Sequence, residues 1–373
     1  MQTKVVKIDI AKPDMAKIKE AASLLDAGSL VAIPTETVYG IACRVRPDSL
    51  TKLNNLKGRS PDKYYTLHIG QKEDVKKYVP TICIKAQKLI DNAWPGPLTI
   101  VFELDNNNLS KQKNEFPDEV FNELYKDNSI GIRCCENQIA SLLLQQTTNP
   151  VVAPSANITG RPPAIDAEGV LATFSGQIEL VLDAGLCKYK KSSTVVKIGK
   201  NGLRILREGV YSRAELETTS QIKFLFVCTG NTCRSPMAKG IFSSSLAEKL
   251  RCDVDELDKI GYKVSSAGIM NLAGAAASPE AIKACAAKGI DIKAHRSTQL
   301  TQQLVNESDI IFAMGRMHCE RVAALNIDAV KKCVLLAENT DVPDPIGRPQ
   351  EVYNSCADII EKAVKKRIGE LIL

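Results

Sequence analysis

Short apolar runs bounded by Gly and Pro alternate along this chain with stretches whose apolar residues recur every three or four positions. The first pattern predicts strands and the second amphipathic helices, so the chain reads as an α/β protein. Strands are expected at Leu30–Pro34, Leu98–Phe102, Pro150–Pro154 and Thr194–Ile198, and helices at Ala16–Ala27 and Asp74–Val79. Residues Tyr211–Gln221 are polar and precede a fresh apolar run, Phe224–Cys228, which places a linker there. Beyond it the pattern predicts a tight loop, a helix at Pro236–Leu250, a strand ending at Ser265 and a helix at Pro279–Lys288. A strand at Asp309–Met314 and a last helix through Val352–Lys366 follow. Such alternation builds a small parallel sheet with helices on both faces. Two domains, 1–213 and 221–373, are also the ordinary division of 373 residues.

Composition narrows the class without naming it. Hydrophobic residues make up 44% and charged residues 25%, which suits chains that bury real cores. The net charge of +6 is too mild to separate a phosphate-handling protein from an ordinary enzyme. No apolar stretch approaches membrane-spanning length, and the N-terminus lacks a signal-peptide pattern, so a cytoplasmic protein without a membrane partner is expected. Twelve cysteines occur with no Cys-x-x-Cys pair and only three histidines, so no zinc-ligand spacing exists. Most of these cysteines read as small buried hydrophobes in a reducing compartment.

One loop breaks that bland reading. Cys228 is followed by Thr229, Gly230, Asn231, Thr232, Cys233, Arg234, Ser235 and Pro236. A short loop between strand and helix can curl so that its backbone N–H groups converge on one phosphate. Gly230 is expected to supply the unusual backbone angles of that curl, and Pro236 fits a first helical turn. Cys228, near a helix N-terminus, is expected to have a lowered pKa and to act as a thiolate nucleophile. Arg234 can hold two phosphate oxygens and Ser235 can donate to the sulfur. Asp344, on the Pro-rich turn Val342-Pro343-Asp344-Pro345, is the candidate general acid. Alone, an Asp-Pro in a loop reads as a turn former; paired with the Cys228 loop it reads as catalytic. Cys233 lies five residues from Cys228, where a protective disulfide and a merely packed thiol are both open readings.

Together these features resemble the low-molecular-weight phosphotyrosine phosphatase family across about residues 222–370, with Ser266-Ala267-Gly268 and His295-Arg296-Ser297 as scaffold matches. The resemblance implies a three-layer α/β domain, a cysteinyl-phosphate intermediate and no metal cofactor. Phosphotyrosine enzymes of the family usually carry an aliphatic residue where this chain has Thr232. The loop is similar to that of bacterial protein-arginine phosphatases, and Ile346 stands where tyrosine-specific members often have aromatics. Both features favour phosphoarginine over phosphotyrosine as substrate.

The N-terminal part lacks the common Gly-rich nucleotide loops. It carries instead Pro34-Thr35-Glu36-Thr37-Val38-Tyr39-Gly40, then Lys57-Gly58-Arg59 with Lys63 and His68, then Trp94-Pro95-Gly96-Pro97, then Pro154-Ser155-Ala156-Asn157. On extended backbone, residues two apart point the same way, so Lys57 and Arg59 would aim two charges at one place, and Ser155 and Asn157 two polar groups. Singly these clusters read as a solvated turn, a packed corner and a helix cap. In this order, with Ser192-Ser193-Thr194 and Leu206-Arg207-Glu208-Gly209, they resemble the YrdC-like threonylcarbamoyl-AMP synthases over about residues 5–213.

That resemblance implies a twisted open α/β sheet with a positively charged groove. It implies condensation of L-threonine, bicarbonate and ATP into threonylcarbamoyl-AMP and pyrophosphate, with Mg²⁺ accompanying ATP. The product would reach tRNA through a separate transferase. By resemblance Lys57, Arg59, Lys63, Ser129, Ser155, Asn157 and Arg207 would contact ATP, and Thr35, Thr37, His68, Arg133 and Ser193 would surround threonine and bicarbonate. The chain departs from the family pattern at Arg59-Ser60-Pro61, Lys63-Tyr64-Tyr65 and Arg133-Cys134-Cys135. The expected protein is thus a bifunctional synthase and phosphatase. The alternative is an active phosphatase joined to a catalytically degenerate, RNA-binding YrdC-like module.

Overall fold

The computed structural model describes residues 2–60, 63–199, 202–272 and 274–373. The chain divides into two units, Met1–Ser220 and Gln221–Leu373. Among the described residues no helix is long and apolar enough to cross a membrane.

Among the described residues the first unit is built on ten strands: β1 (Lys4–Lys7), β2 (Val31–Ile33), β3 (Gly40–Arg44), β4 (Thr66–Ile69), β5 (Leu98–Glu103), β6 (Ser129–Cys134), β7 (Val151–Val152), β8 (Leu180–Asp183), β9 (Thr194–Gly199) and β10 (Gly202–Arg207). They pair in the order β1-β8-β2-β3-β7-β4-β6-β5-β9-β10, with parallel and antiparallel neighbours mixed. Alternation of side chains across the sheet explains the unbroken apolar runs at one end. Val31 and Ile33 face a core shared with helices Met15–Asp26 and Gln138–Gln146, while Ala32 faces the opposite core. Ala42 joins the first of these cores, and Ile41 and Cys43 join the second.

Strands β4, β6, β5 and β9 differ. Each buries one alternate set, among them Leu67, Ile132, Ile100 and Val196, in the larger core. The other set is Thr66 and His68, Gly131 and Arg133, Thr99 and Val101, and Val195 and Lys197. Pairing aligns His68, Arg133, Thr99 and Val195 in one row across the sheet, and Thr66, Gly131, Val101 and Lys197 in the next.

The second unit has four parallel strands, β11 (Ile222–Cys228), β12 (Tyr262–Gly268), β13 (Ile310–Ala313) and β14 (Cys333–Leu335), in the order β12-β11-β13-β14. One face carries Leu225, Val227 and Ile311 with Val305 and Val322. The other carries Phe224, Phe226 and Phe312, which pack at a tilt around Phe242 of the helix Arg234–Leu250. The helix Gln350–Glu370 buries Tyr353, Ala357, Ile360 and Val364. The chain passes from β11 outward to β12 and then crosses back past β11 to β13, so the winding reverses between β11 and β13. A crevice therefore opens at the carboxyl end of β11, where Cys228 sits.

Two expectations are corrected. The polar stretch after Tyr211 is no linker: Arg213–Ser220 is a helix of the first unit, and Leu216 is buried in its larger core. Two apolar positions, Ala214 and Leu216, among six polar ones were too thin a pattern to announce it, yet one buried leucine suffices to dock a two-turn helix. The helix expected at Asp74–Val79 is shorter, Val75–Tyr78, preceded by a 3₁₀ turn at Lys72–Asp74.

Trp94, the chain's single tryptophan, is buried in the first unit and reports that unit alone. Leu216→Ala should lower the urea-unfolding free energy followed by its fluorescence by about 2–4 kcal/mol. A residue in a free linker would leave it unchanged.

Candidate active sites

The second alternate set of strands β4, β6, β5 and β9 forms the floor of a cavity of about 450 Å³. Thr35, Arg59, His68, Ser129, Arg133, Ser155, Ser193 and Arg207 line it, all of them named from sequence. Five lining residues are cationic, Arg59, Arg133, Lys197, Arg204 and Arg207, against the single carboxylate of Asp127. A concave wall of one sign concentrates field on an anion such as a polyphosphate.

Arg133 is buried and pairs with the buried Glu36 at 2.7 Å, also donating to Thr37 Oγ1 at 2.7 Å. Its Nε has no partner among the described residues. Thr37 in turn shares a hydrogen bond with Thr35 at 2.9 Å, so Thr37 acts beneath the cavity lining rather than on it. His68 Nδ1 lies 3.0 Å from the Thr66 carbonyl, which accepts only if Nδ1 carries the proton. Nε2 is then left with a lone pair. Burial, and then the charge of Arg133, hold His68 down to about 3, so the ring is neutral at ordinary pH. Arg207 donates to the Ser193 carbonyl at 2.9 Å and to Ser193 Oγ at 3.1 Å, and Ser193 Oγ meets Thr99 Oγ1 at 3.1 Å.

Three expected residues lie elsewhere. Lys57 ends a helix, Pro47–Lys57, and Gly58 turns left-handed at φ 57°, so the extended geometry assumed for Lys57 and Arg59 is absent. Lys57 Nζ, buried, donates to the carbonyls of Ser155 and Asn157 and ties that loop down. Burial and the neighbouring Arg59 push Lys57 down to about 8. Asn157 turns its amide back to the carbonyls of Ile158 and Arg161, at 2.9 and 2.8 Å. Lys63 is exposed and off the cavity wall. Pro61 lies outside the described residues. Sequence reading missed Glu36, Lys197 and Arg204. For Lys197 the signal was there, since Thr194, Val196 and Ile198 are the buried alternates of its strand.

In the second unit Cys228 ends β11, buried beneath the N-terminus of the helix Arg234–Leu250. Ser235 Oγ lies 2.9 Å from its sulfur and the Asn231 N–H donates to that sulfur at 3.2 Å. Asn231, not Gly230, takes the left-handed conformation, with φ 55°. Asparagine tolerates that region when its side chain is bonded locally. Its Nδ2 donates to Ser235 Oγ and Ser266 Oγ at 2.7 and 2.9 Å. Its Oδ1 accepts from the Thr298 N–H at 2.8 Å, and its carbonyl meets His295 Nε2 at 2.8 Å. The two scaffold segments named from sequence thus converge on one asparagine.

Arg234, nearly buried, donates to Thr229 Oγ1 at 3.1 Å, to the Val342 carbonyl at 3.2 Å, and to the carboxylate of Asp344. The lowered Cys228 pKa expected from sequence is not found. Burial pushes the thiol up, outweighing Ser235, the Asn231 N–H and Arg234, whose charge is shared with Asp344. Cys233 faces Tyr353 OH at 3.4 Å and Ser278 Oγ at 3.5 Å, and both loop cysteines are free thiols. Among the described residues no group of three or more His, Cys, Asp or Glu could hold a metal ion.

Two tests follow from this geometry. The unfolded chain protonates His68 as pH falls through about 6.5, while the native site refuses the proton down to about 3, so stability is lost across that window. His68→Gln should flatten the acid side of the Trp94-monitored unfolding free energy. A Cβ at Gly268 would lie 2.9 Å from Asn231 N, Gly230 C and Thr229 O, all backbone. Gly268→Ala should therefore displace the loop, and the amide resonances of Thr229 and Asn231 should lose their saturable response to inorganic phosphate.

Comparison with known proteins matches the two units to two families. The Sua5/YciO/YrdC family, described as "Telomere recombination", matches residues 23–209, and the low molecular weight phosphotyrosine protein phosphatases match residues 223–371. A threonylcarbamoyl-AMP synthase of Pyrococcus abyssi is 32% identical over 202 residues, 54% of this chain and 56% of that protein, so the chain spans only about half the length of this relative. A probable low molecular weight protein-tyrosine-phosphatase, EpsP of Ralstonia solanacearum, is 34% identical over 142 residues, 38% of this chain and 89% of that protein. The crystal structure of P. abyssi Sua5 complexed with L-threonine shares the fold, at 20% identity and a TM-score of 0.52, covering 71% of this chain and 92% of that one. The chain therefore belongs to the Sua5/YciO/YrdC family through its first unit and to the low molecular weight phosphotyrosine protein phosphatase family through its second.

Proposed function

We propose that the chain is a bifunctional enzyme: a threonylcarbamoyl-AMP synthase joined to a cysteine-dependent protein phosphatase. The observation that carries the first half is the cationic cavity floored by His68, Arg133 and Thr99, with Ser193 and Arg207 at its edge. Arg133, steadied by Glu36 and with Nε unpartnered, suits the carboxylate of L-threonine. Neutral His68 offers Nε2 as a hydrogen-bond acceptor that orients the threonine amine as it adds to the carbon of bicarbonate, which gives up a C–O bond and releases water to leave the carbamate. The resulting carbamate oxygen attacks the α-phosphorus of ATP and pyrophosphate leaves. Arg59 and Arg207, with Lys197 and Arg204, face the phosphates. Lys57 supports this site through the Ser155–Asn157 loop. Mg²⁺ suits the site as a companion of ATP, neutralising phosphate charge, because the cavity wall holds one carboxylate only. The product would pass to tRNA through a separate transferase.

In the second site the Cys228 sulfur attacks phosphorus, Arg234 grips the phosphate oxygens, and Asp344 protonates the leaving group. Water, with Asp344 as base, then frees the cysteine. The resting contact of Arg234 with Asp344 must open as phosphate enters, which returns Arg234's charge to the sulfur's surroundings and favours the thiolate. Phosphoarginine is the proposed substrate. Thr232 offers its hydroxyl at the loop, meeting among the described residues only the Cys233 sulfur at 3.6 Å, and Ile346 beside Asp344 is exposed without an aromatic ring.

Pyrophosphate release should require ATP, L-threonine and bicarbonate together. Arg59→Ala and Arg207→Ala should each slow it tenfold or more, roughly the loss of one charge-assisted contact. Cys228→Ser should leave it unchanged while abolishing phosphatase turnover. Thr232→Ile should shift kcat/KM from phosphoarginine towards aryl phosphate. No release above controls would leave the degenerate RNA-binding reading of the first unit.

A further inference from the structure

One buried histidine, His318, is used by nothing in the proposed phosphatase chemistry. It is 1% exposed, on the helix Arg316–Leu325 that follows β13. Its Nε2 lies 3.0 Å from Thr229 Oγ1, the same oxygen to which Arg234 Nη2 donates at 3.1 Å. Among the described residues its buried Nδ1 has no partner of good hydrogen-bond geometry, though the Gly315 carbonyl pulls on the ring. Counting donors and acceptors gives these bonds a preferred direction. Arg234 has only donors, so Thr229 Oγ1 accepts from it. The Thr229 hydroxyl has one proton to give, and among the described residues His318 Nε2 is the other side-chain atom it meets. The hydroxyl is satisfied by these partners only if Nε2 accepts, which places the imidazole proton on Nδ1, on the side of the Gly315 carbonyl. Were Nε2 protonated, Thr229 Oγ1 would face two donors and its own proton would have to turn to solvent.

We propose that His318 is a positioning residue of the phosphatase site: its Nε2 lone pair orients the Thr229 hydroxyl, and that oxygen holds the Arg234 guanidinium at the phosphate loop. The inference rests on the assignment of Arg234 as the phosphate-gripping residue. The arrangement has a clear use. The resting partner of Arg234, Asp344, sits on a half-exposed turn and must let go when substrate enters. Thr229 and the Val342 carbonyl then remain to keep the guanidinium aimed, and of these only Thr229 belongs to the phosphate loop itself. Burial, and then the positive charge of Arg234, push His318 down, against the pull of the Gly315 carbonyl, Asp341 and Asp344, so the neutral ring, which has a lone pair to offer, is the one present at ordinary pH. A merely space-filling histidine would need neither this tautomer nor an acceptor at Nε2.

The test uses the full chain. Imidazole nitrogen shifts of His318 should report a proton on Nδ1 and a hydrogen-bonded lone pair on Nε2, and Thr229→Val should remove that bond signature. Inorganic phosphate, titrated against the amide resonances of Thr229 and Asn231, should bind about tenfold more weakly to His318→Ala, equivalent to about 1.4 kcal/mol. His318→Gln, whose carbonyl oxygen reaches the Nε2 position, should recover most of that loss, and KM for a small aryl phosphate should follow the same order. A proton on Nε2, unaltered phosphate binding in His318→Ala, or a glutamine variant as impaired as alanine would overturn the proposal. If phosphate binding follows His318 while no Cys228-dependent turnover exists, the phosphatase reading fails and the relay stands. If turnover is normal but binding and tautomer ignore His318, the relay alone is wrong.

Discussion

Side chains on a strand must point alternately to opposite faces, and the first unit is organised around that constraint. Four adjacent strands each divide their residues into a set that joins the core and a set that floors a cavity. The same backbone that buries Ile130 and Ile132 therefore presents Gly131 and Arg133. Stability and recognition are supplied by the two halves of one repeat of two. Changing the register by one residue would exchange them, moving Arg133 into the core and isoleucine into the cavity. That coupling fixes the rows that set His68 beside Arg133 and Arg133 beside Thr99.

The second unit depends on a different restriction, the crowding at the carboxyl ends of parallel strands. Gly268 leaves space for the Cys228 loop to lie directly against β12, and Asn231 then fills the interior of the curl. Each polar group of the Asn231 side chain is bonded, so the left-handed backbone there is held by the surrounding structure rather than by a glycine. Such a fully satisfied buried network is rigid, which is what a loop of converging N–H groups requires.

The two sites share an electrostatic habit. Arg133 rests on Glu36 and Arg234 on Asp344. A cation kept out of water is costly alone, so each guanidinium is stored beside a carboxylate. The pairs differ in exposure. Glu36 is buried and also accepts from the Glu136 N–H at 3.2 Å, which makes it a permanent brace. Asp344 is half-exposed, which suits a group that must move off its partner and handle a proton.

The sequence by itself determined the α/β class, the Cys-to-Arg loop with its Pro-bounded helix, the late Asp-Pro, and most of the polar residues around the cavity. Those features are local: the spacing of a strand–loop–helix turn, or a run of alternating residues, is written in neighbouring positions. Tertiary structure decided what depends on distant partners. It made Lys57 a tether for a loop a hundred residues away, gave the left-handed turn to Asn231 instead of Gly230, and docked Arg213–Ser220 through Leu216. It also raised the Cys228 thiol, because the expected lowering counted the loop's donors but not the depth of burial or Asp344's claim on Arg234. Desolvation and long-range pairing belong to the packed chain, and no window of sequence contains them.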